Sequence, residues 1–321
     1  MYRRSLLLAA LAASALTGLP ALPAHAKEKQ PLTIIVGFPP GGSADTISRL
    51  VADGLRNDFS PVVVENRPGA AGRIAIRALM HAKADGRTVI IMPNGPMVLF
   101  PYIYRKLDYD PVKDFTPVSL IARFQFGVVA GPGSGARTVS EMIAKVKADP
   151  RTGTYGSPGQ GTLPHLLGVM FSHTTGVPLQ HIPFQGGGPA NNALLGGVIN
   201  YKFDVVSETA PFHRAGKVHI LAVMGDQRDP QVPDVPTLKE AGVDMQADGW
   251  FAMYAPAGLA APEQATLEQA VARALHDPRM REKVSSAGFE PVGSTASELA
   301  TAQAADLRRW AVVKGAGVLL D

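Results

Sequence analysis

Cysteine is absent from this chain of 321 residues. No disulfide can staple it, and thiol catalysis and thiolate-held metals are excluded. A chain without staples relies on its core, so the expectation is one large domain or two smaller ones. Aromatic residues are scarce, at 7%. The 31 Lys and Arg are scattered among 27 Asp and Glu, with no basic run and no interleaved aromatics. That pattern argues against a nucleic-acid partner. Beyond the first 26 residues no apolar run approaches the roughly 20 needed to span a bilayer. Neither a Walker loop nor a G-x-S-x-G elbow occurs. Gly131-Pro-Gly-Ser-Gly-Ala136 fits a dinucleotide fingerprint only loosely, because Pro132 lacks the N–H that such a turn offers. His165, His173 and His181 lack the i, i+4 pairing of a zinc site. No cofactor, metal or catalytic residue is expected.

The first positive signal is an export segment. Arg3 and Arg4 precede an apolar stretch from Ser5 to Leu16, and Ala24-His-Ala26 closes it with small residues. This reads as a signal peptide over residues 1–26, cleaved after Ala26, which sends the mature chain to the periplasm. Gly18 and Pro20 break the stretch and disfavour a membrane anchor. The paired arginines leave general and twin-arginine export both open. Losing them lowers the formal charge from +4 to +2.

From Leu32 the chain alternates apolar runs with helical periods. Strands are expected at Leu32–Val36, Val62–Val64 and Thr88–Met92, and helices over 46–57 and 70–82. Such βαβ units predict a parallel sheet with helices on its faces. The proline-rich segment 101–118 reads as an irregular connector, followed by separate short strands at Val118–Ile121 and Phe126–Ala130. Thr138-x-x-Glu141 and Thr295-x-x-Glu298 are capping boxes that open helices. Further helices are expected over 263–276, 279–286 and 296–313. Composition shifts near 120–126 and at Gly249-Trp250 mark two domain crossings. They give one α/β domain from 27–124 plus 250–321 and a second from 125–249.

Two glycine turns carry the functional signal. In Val36-Gly-Phe-Pro-Pro-Gly-Gly-Ser-Ala-Asp45 a strand ends in a turn that opens a helix, with Ser43 as N-cap and Asp45 in the first turn. Tyr155-Gly-Ser-Pro-Gly-Gln-Gly-Thr-Leu-Pro-His165 repeats the plan, with Thr162 as N-cap and Pro164 in the first turn. Each reads either as an anion pocket at a helix N-terminus or as a tight connection without a ligand. Their occurrence in both halves favours the pocket, with amides, hydroxyls and bridging waters holding a carboxylate. His165 is either a ligand contact or a support for its loop. A third segment of the same make-up, His181–Pro189, offers Phe184 as cleft wall or core, and Asp204 either accepts from a ligand or holds a loop.

The chain resembles the Bug or TctC family, the substrate-binding proteins of tripartite tricarboxylate transporters. The matching segments span the mature chain: Phe38–Asp45, Val64–Gly72, Asp85–Thr88, Tyr109–Pro117, Tyr155–Thr162 with His165, Leu194–Gly197, Pro233–Thr237 and Trp250. The resemblance implies a type II periplasmic-binding fold, two α/β domains around a ligand cleft. It also implies capture of a small organic acid (a dicarboxylate, tricarboxylate, acidic amino acid or aromatic acid) and, in some members, delivery to a two-component permease. It carries ligand contacts onto Phe38, Gly41, Gly42, Ser43 and Asp45, and onto Ser157, Gly161, Thr162 and His165. Asn94 and Ser207 fall where the family also lines its cleft, and Phe184, Gly186 and Asp204 complete the candidate set.

Some positions depart from the family pattern. Phe184 and Gln185 stand where Tyr and a cation are usual, Ala193 where an acid is common, and Arg73 where a small or amide residue is. Arg73 reads as a solvent-facing helix residue rather than a partner for a second carboxylate. The function expected is that of a monomeric exported solute receptor, not an enzyme. The alternatives are a sensory receptor of the same fold that signals to a membrane kinase, and an exported hydrolase.

Overall fold

The computed structural model describes residues 29–315 and 319–320. The expected signal peptide lies outside the described residues. No described helix is long and apolar enough to cross a membrane.

Two sheets share one strand. In the first, β1 (Leu32–Val36) lies between β2 (Val62–Asn66) and β3 (Thr88–Pro93), all parallel. The 16-residue β4 (Phe115–Ala130) runs out of this sheet and into the next. The second sheet holds β5 (Thr154–Ser157), β6 (Gln180–Pro183), β7 (Tyr201–Val205) and β8 (His219–Val223). Here β5 pairs parallel with β6 and β7, while β7 and β8 flank residues 126–130 of β4, antiparallel to it. The chain returns through β9 (Asp248–Pro256), which fills the middle of the first sheet between β3 and β4. A short β10 (Glu290–Pro291) adds to β4 at Ala122 and Arg123.

The apolar runs are buried on both faces because helices cover both. Ile34, Ile90, Ile91, Ile121 and Ala252 are fully buried, each large aliphatic side chain contributing about 1.5–3 kcal/mol. The helices are α1 (Ser43–Leu55), α2 (Arg73–Met80), α3 (Gly95–Val98), α4 (Phe100–Ile103), α5 (Val139–Ala148), α6 (Leu163–Thr175), α7 (Gly187–Leu195) and α8 (Val206–Arg214). The last three, α9 (Ala261–His276), α10 (Pro278–Ser286) and α11 (Ala296–Trp310), return to the first sheet. There Trp250 Nε1 donates to Asp306 Oδ2 at 2.8 Å, and the Tyr254 hydroxyl to Gln303 Oε1 at 3.1 Å.

The structure corrects several sequence expectations; the connector expected to be irregular over 101–118 holds most of α4 and the start of β4. The two short strands expected at 118–121 and 126–130 are one strand, because Arg123 turns outward without interrupting the ladder to β9. The helix expected from 70 begins at Arg73, since Ala70, Ala71 and Gly72 all have positive φ. Ser43 is not an N-cap. Gly42, in an extended conformation, holds that position with no side-chain cap from the helix itself.

Candidate functional site

The carboxyl ends of β1, β3, β5, β6 and β7 face one another across the gap between the sheets, where open α/β sheets bind ligands. Each strand runs through a short turn into a helix N-terminus.

The first turn is fixed by Asp45. Its Oδ2 accepts from Gly41 N at 3.0 Å and from Arg49 Nε at 2.9 Å, and its Oδ1 from Asn66 Nδ2 at 2.9 Å. Burial alone would raise the pKa of Asp45, yet the hydrogen bonds from Arg49, Gly41 and Asn66 hold it below the usual carboxylate value. Asn66 also donates to Phe38 O at 3.0 Å. Asp45 and Gly41 therefore shape the loop rather than face the cavity.

The second turn is fixed by histidines. Gly161 N donates to His165 Nδ1 at 3.1 Å, which assigns the proton of the neutral ring to Nε2. His165 stacks on His181 with ring centroids 4.0 Å apart, and Ser157 Oγ lies 2.7 Å from His181 Nε2. Burial lowers the pKa of His165 to about 4; burial and then the neighbouring His165 lower that of His181 to about 3. Both rings are neutral at physiological pH. Thr162 Oγ1 donates to Gly159 O at 2.7 Å. Of the two readings open for His165, the structure shows the support.

The helix starts meet at a cavity of about 80 Å³, space for several waters or one small molecule. Of the predicted residues, Phe38, Gly42, Ser43, Asn94, Thr162 and Asp204 line it. Gly41, Asp45, Ser157, Gly161 and His165 stand behind this lining. Ser207 Oγ is buried without a partner, as are both atoms of the Asn94 amide. Phe184 and Gly186 line a neighbouring, more open cavity of about 540 Å³. Arg73 lines it too, its guanidinium 4.3 Å from the Tyr104 ring centroid and its Nε buried without a partner. The solvent-facing placement expected for Arg73 is thus corrected, because the left-handed residues before α2 swing that helix start toward the cleft.

Two residues that sequence reasoning missed complete the site. Glu208, in the first turn of α8, accepts from Ser43 N at 2.8 Å, capping α1 from the opposite sheet. Its carboxylate presses on Gly187, where an added Cβ would lie 2.7 Å from Glu208 Cδ. A side chain at Gly187 would have to displace that carboxylate. Lys202, fully buried on β7, donates to Asn191 Oδ1 at 2.7 Å and Gly187 O at 3.2 Å, and pairs with Asp204 Oδ2. Burial, then the charge of Glu208, push the Asp204 pKa up, against the pull of Lys202. Local sequence offered only an acidic residue in a helix's first turn and a lysine in an apolar strand.

Two α/β units hinged by paired strands, with their strand ends opposed across a cavity, have the architecture of a periplasmic-type solute receptor. The family model "Tripartite tricarboxylate transporter family receptor" matches residues 47–317, and the chain belongs to this TctC, or Bug, family. It is 32% identical to Protein BugT of Bordetella pertussis over 295 residues, 91% of this chain and 90% of that one. Among solved structures it is similar to MatC of Rhodopseudomonas palustris with bound malate, with TM-score 0.84 and 31% identity over 89% of this chain and 99% of that one. A second R. palustris protein, with adipate, gives TM-score 0.85 and 31% identity over 90% and 97% of the two chains.

Proposed function

We propose that this chain is an exported receptor that captures a small organic carboxylate between its two lobes, which divide at 124/125 and 249/250, for uptake by a two-component membrane permease. One observation carries this reading. The N-termini of α1 and α6, reached from different sheets, open on the same cavity. Donors available to a carboxylate include the Asn94 amide, the Ser43 hydroxyl and the first-turn amides of Ala44 and Leu163. Those two amides have no intrahelical acceptor. Family membership and the malate and adipate held by its structural neighbours support the same class of ligand. Binding in the open form, closure by rotation about β4 and β9, and burial of the ligand form the cycle.

The test is a thermal-shift screen of residues 27–321 against small carboxylates and their neutral amides. Ligands that bind only the folded state raise the melting temperature by mass action. A rise with an acid that its amide does not reproduce is the expected result. Folded, ligand-free protein that responds to no carboxylate overturns the reading. Loss of uptake, rather than loss of gene induction, in a deletion strain separates transport from sensing.

A further inference from the structure

The side chains around the central cavity have the wrong charge for a dicarboxylate. Asp204 and Glu208 line it, and among the described residues no Lys, Arg or His does. Lys202 lies behind Asp204, and its ammonium is already engaged by Gly187 O, Asn191 Oδ1 and Asp204 itself. It has no donor left for an incoming anion. The cavity also holds acceptors that lack donors. Asp204 Oδ1 and Asn94 Oδ1 are buried without partners. Buried acceptors left unpaired are costly, so an occupant that donates hydrogen bonds on this side is favoured, while the Asn94 Nδ2 donor, also unpaired, suits an acceptor.

The rest of the wall is mostly apolar, built of prolines and phenylalanines. Phe38, Phe100, Phe124, Phe126 and Phe251 line the cavity. Phenyl faces accept an apolar body and attract cations, whereas they give an anion nothing. Glu208 also occupies the Ser43 amide, one of the positions a ligand carboxylate would otherwise take. One wall thus asks for donors and positive charge, while the Asn94 amide and the remaining helix starts serve a single carboxylate.

We propose that the occupant is an amine-bearing apolar monocarboxylate, an apolar amino acid, whose ammonium sits between Glu208 and Asp204. The proposal rests on the carboxylate-receptor reading and narrows it. Glu208 is then the specificity-determining residue. An ammonium meets it with charge-assisted hydrogen bonds, and a second ligand carboxylate meets repulsion.

The experiment is titration calorimetry on ligand-free residues 27–321. The probes are alanine, valine, leucine and phenylalanine, each with its deaminated acid, together with succinate and adipate. The expected result is that one amino acid binds more tightly than its deaminated partner. Glu208→Gln should then weaken that amino acid by about 30-fold or more while sparing the deaminated acid. Asp204→Asn should move the preference in the same direction. If the wild type prefers a dicarboxylate, or the deaminated acid, the proposal is overturned while the receptor reading stands. The same holds if Glu208→Gln tightens carboxylates generally, for Glu208 is then a tethered competitor. Binding of none of these acids by folded protein overturns the proposal and, with the wider panel, the receptor reading as well.

Discussion

The backbone amide of Ser43 and the carboxylate of Glu208, 165 positions apart, meet at 2.8 Å and join the two sheets across the cleft. A side chain of one lobe is thereby the helix cap of the other. A hydrogen bond to a charged group contributes about 1.5–3 kcal/mol, enough to favour the closed form before a ligand arrives. Glu208→Ala should shift the ligand-free protein toward the open form, read by small-angle scattering as a larger radius of gyration. An unchanged profile would show that the bond does not hold the lobes together.

The two loop glycines should respond differently to substitution. A Cβ at Gly161, where φ is +84°, would stand 2.7 Å from Tyr104 Oη and 2.9 Å from Leu320 Cδ1. A Cβ at Gly41, where φ is +88°, meets nothing within 4 Å. Gly41→Val should cost about 1–2 kcal/mol of backbone strain and weaken binding through the loop. Gly161→Val adds a wedge between the lobes and should abolish binding, with the fold still melting cooperatively. Equal affinities in the two variants would remove the wedge from the explanation.

Acid should destabilise the second loop before the rest of the molecule. The folded-state pKa values of His165 and His181, about 4 and about 3, lie below the ordinary 6.5. The unfolded chain therefore takes up protons first. The stability these rings supply is complete above pH 6.5 and is lost as pH falls through 4 toward 3. The slope is at most about 1.4 kcal/mol per pH unit for each ring. Urea titrations across this range should show the decline, and His181→Gln should halve its slope.

Lys202 and Asp204 form a buried pair whose partners are not equally dispensable to the ligand. Lys202→Met strands a buried carboxylate and should cost about 3–5 kcal/mol, whereas Lys202→Met with Asp204→Leu should recover most of it. Denaturant midpoints test the stability. The double variant should still fail to bind the ligand, because Asp204 lines the cavity.

What the sequence revealed follows from the range of each interaction. Capping at Thr295 and Glu298 is local, a reciprocal contact over three residues, and the structure keeps it. The glycine turns were legible for the same reason. Glu208 was not, because its partner lies in another lobe and nothing near residue 208 announces a cap for residue 43. That long-range cap satisfies the Ser43 amide from outside the helix, while Gly42, which has no side chain, holds the N-cap position. The continuity of β4 was hidden because residues 122–125 belong to neither short apolar run, and only their pairing with β9 joins the two. Arg73 turned on backbone geometry at Ala70 and Ala71, two alanines in left-handed conformations that composition does not foretell.

The central place of β9 sets an order of assembly. The first sheet lacks its middle strand until residues 248–256 exist, so β3 and the first half of β4 keep open edges while most of the chain is being made. Strands β5 to β8 fall in one uninterrupted stretch, 154–223, and can close on β4 at once. The lobe begun first on the ribosome is therefore finished last, through pairings as remote in sequence as Ile90 with Tyr254, a slow step by its topology. Late closure of this kind leaves the edges of β3 and β4 unpaired for longest, so that interval is when the chain is most exposed to pairing with a neighbour.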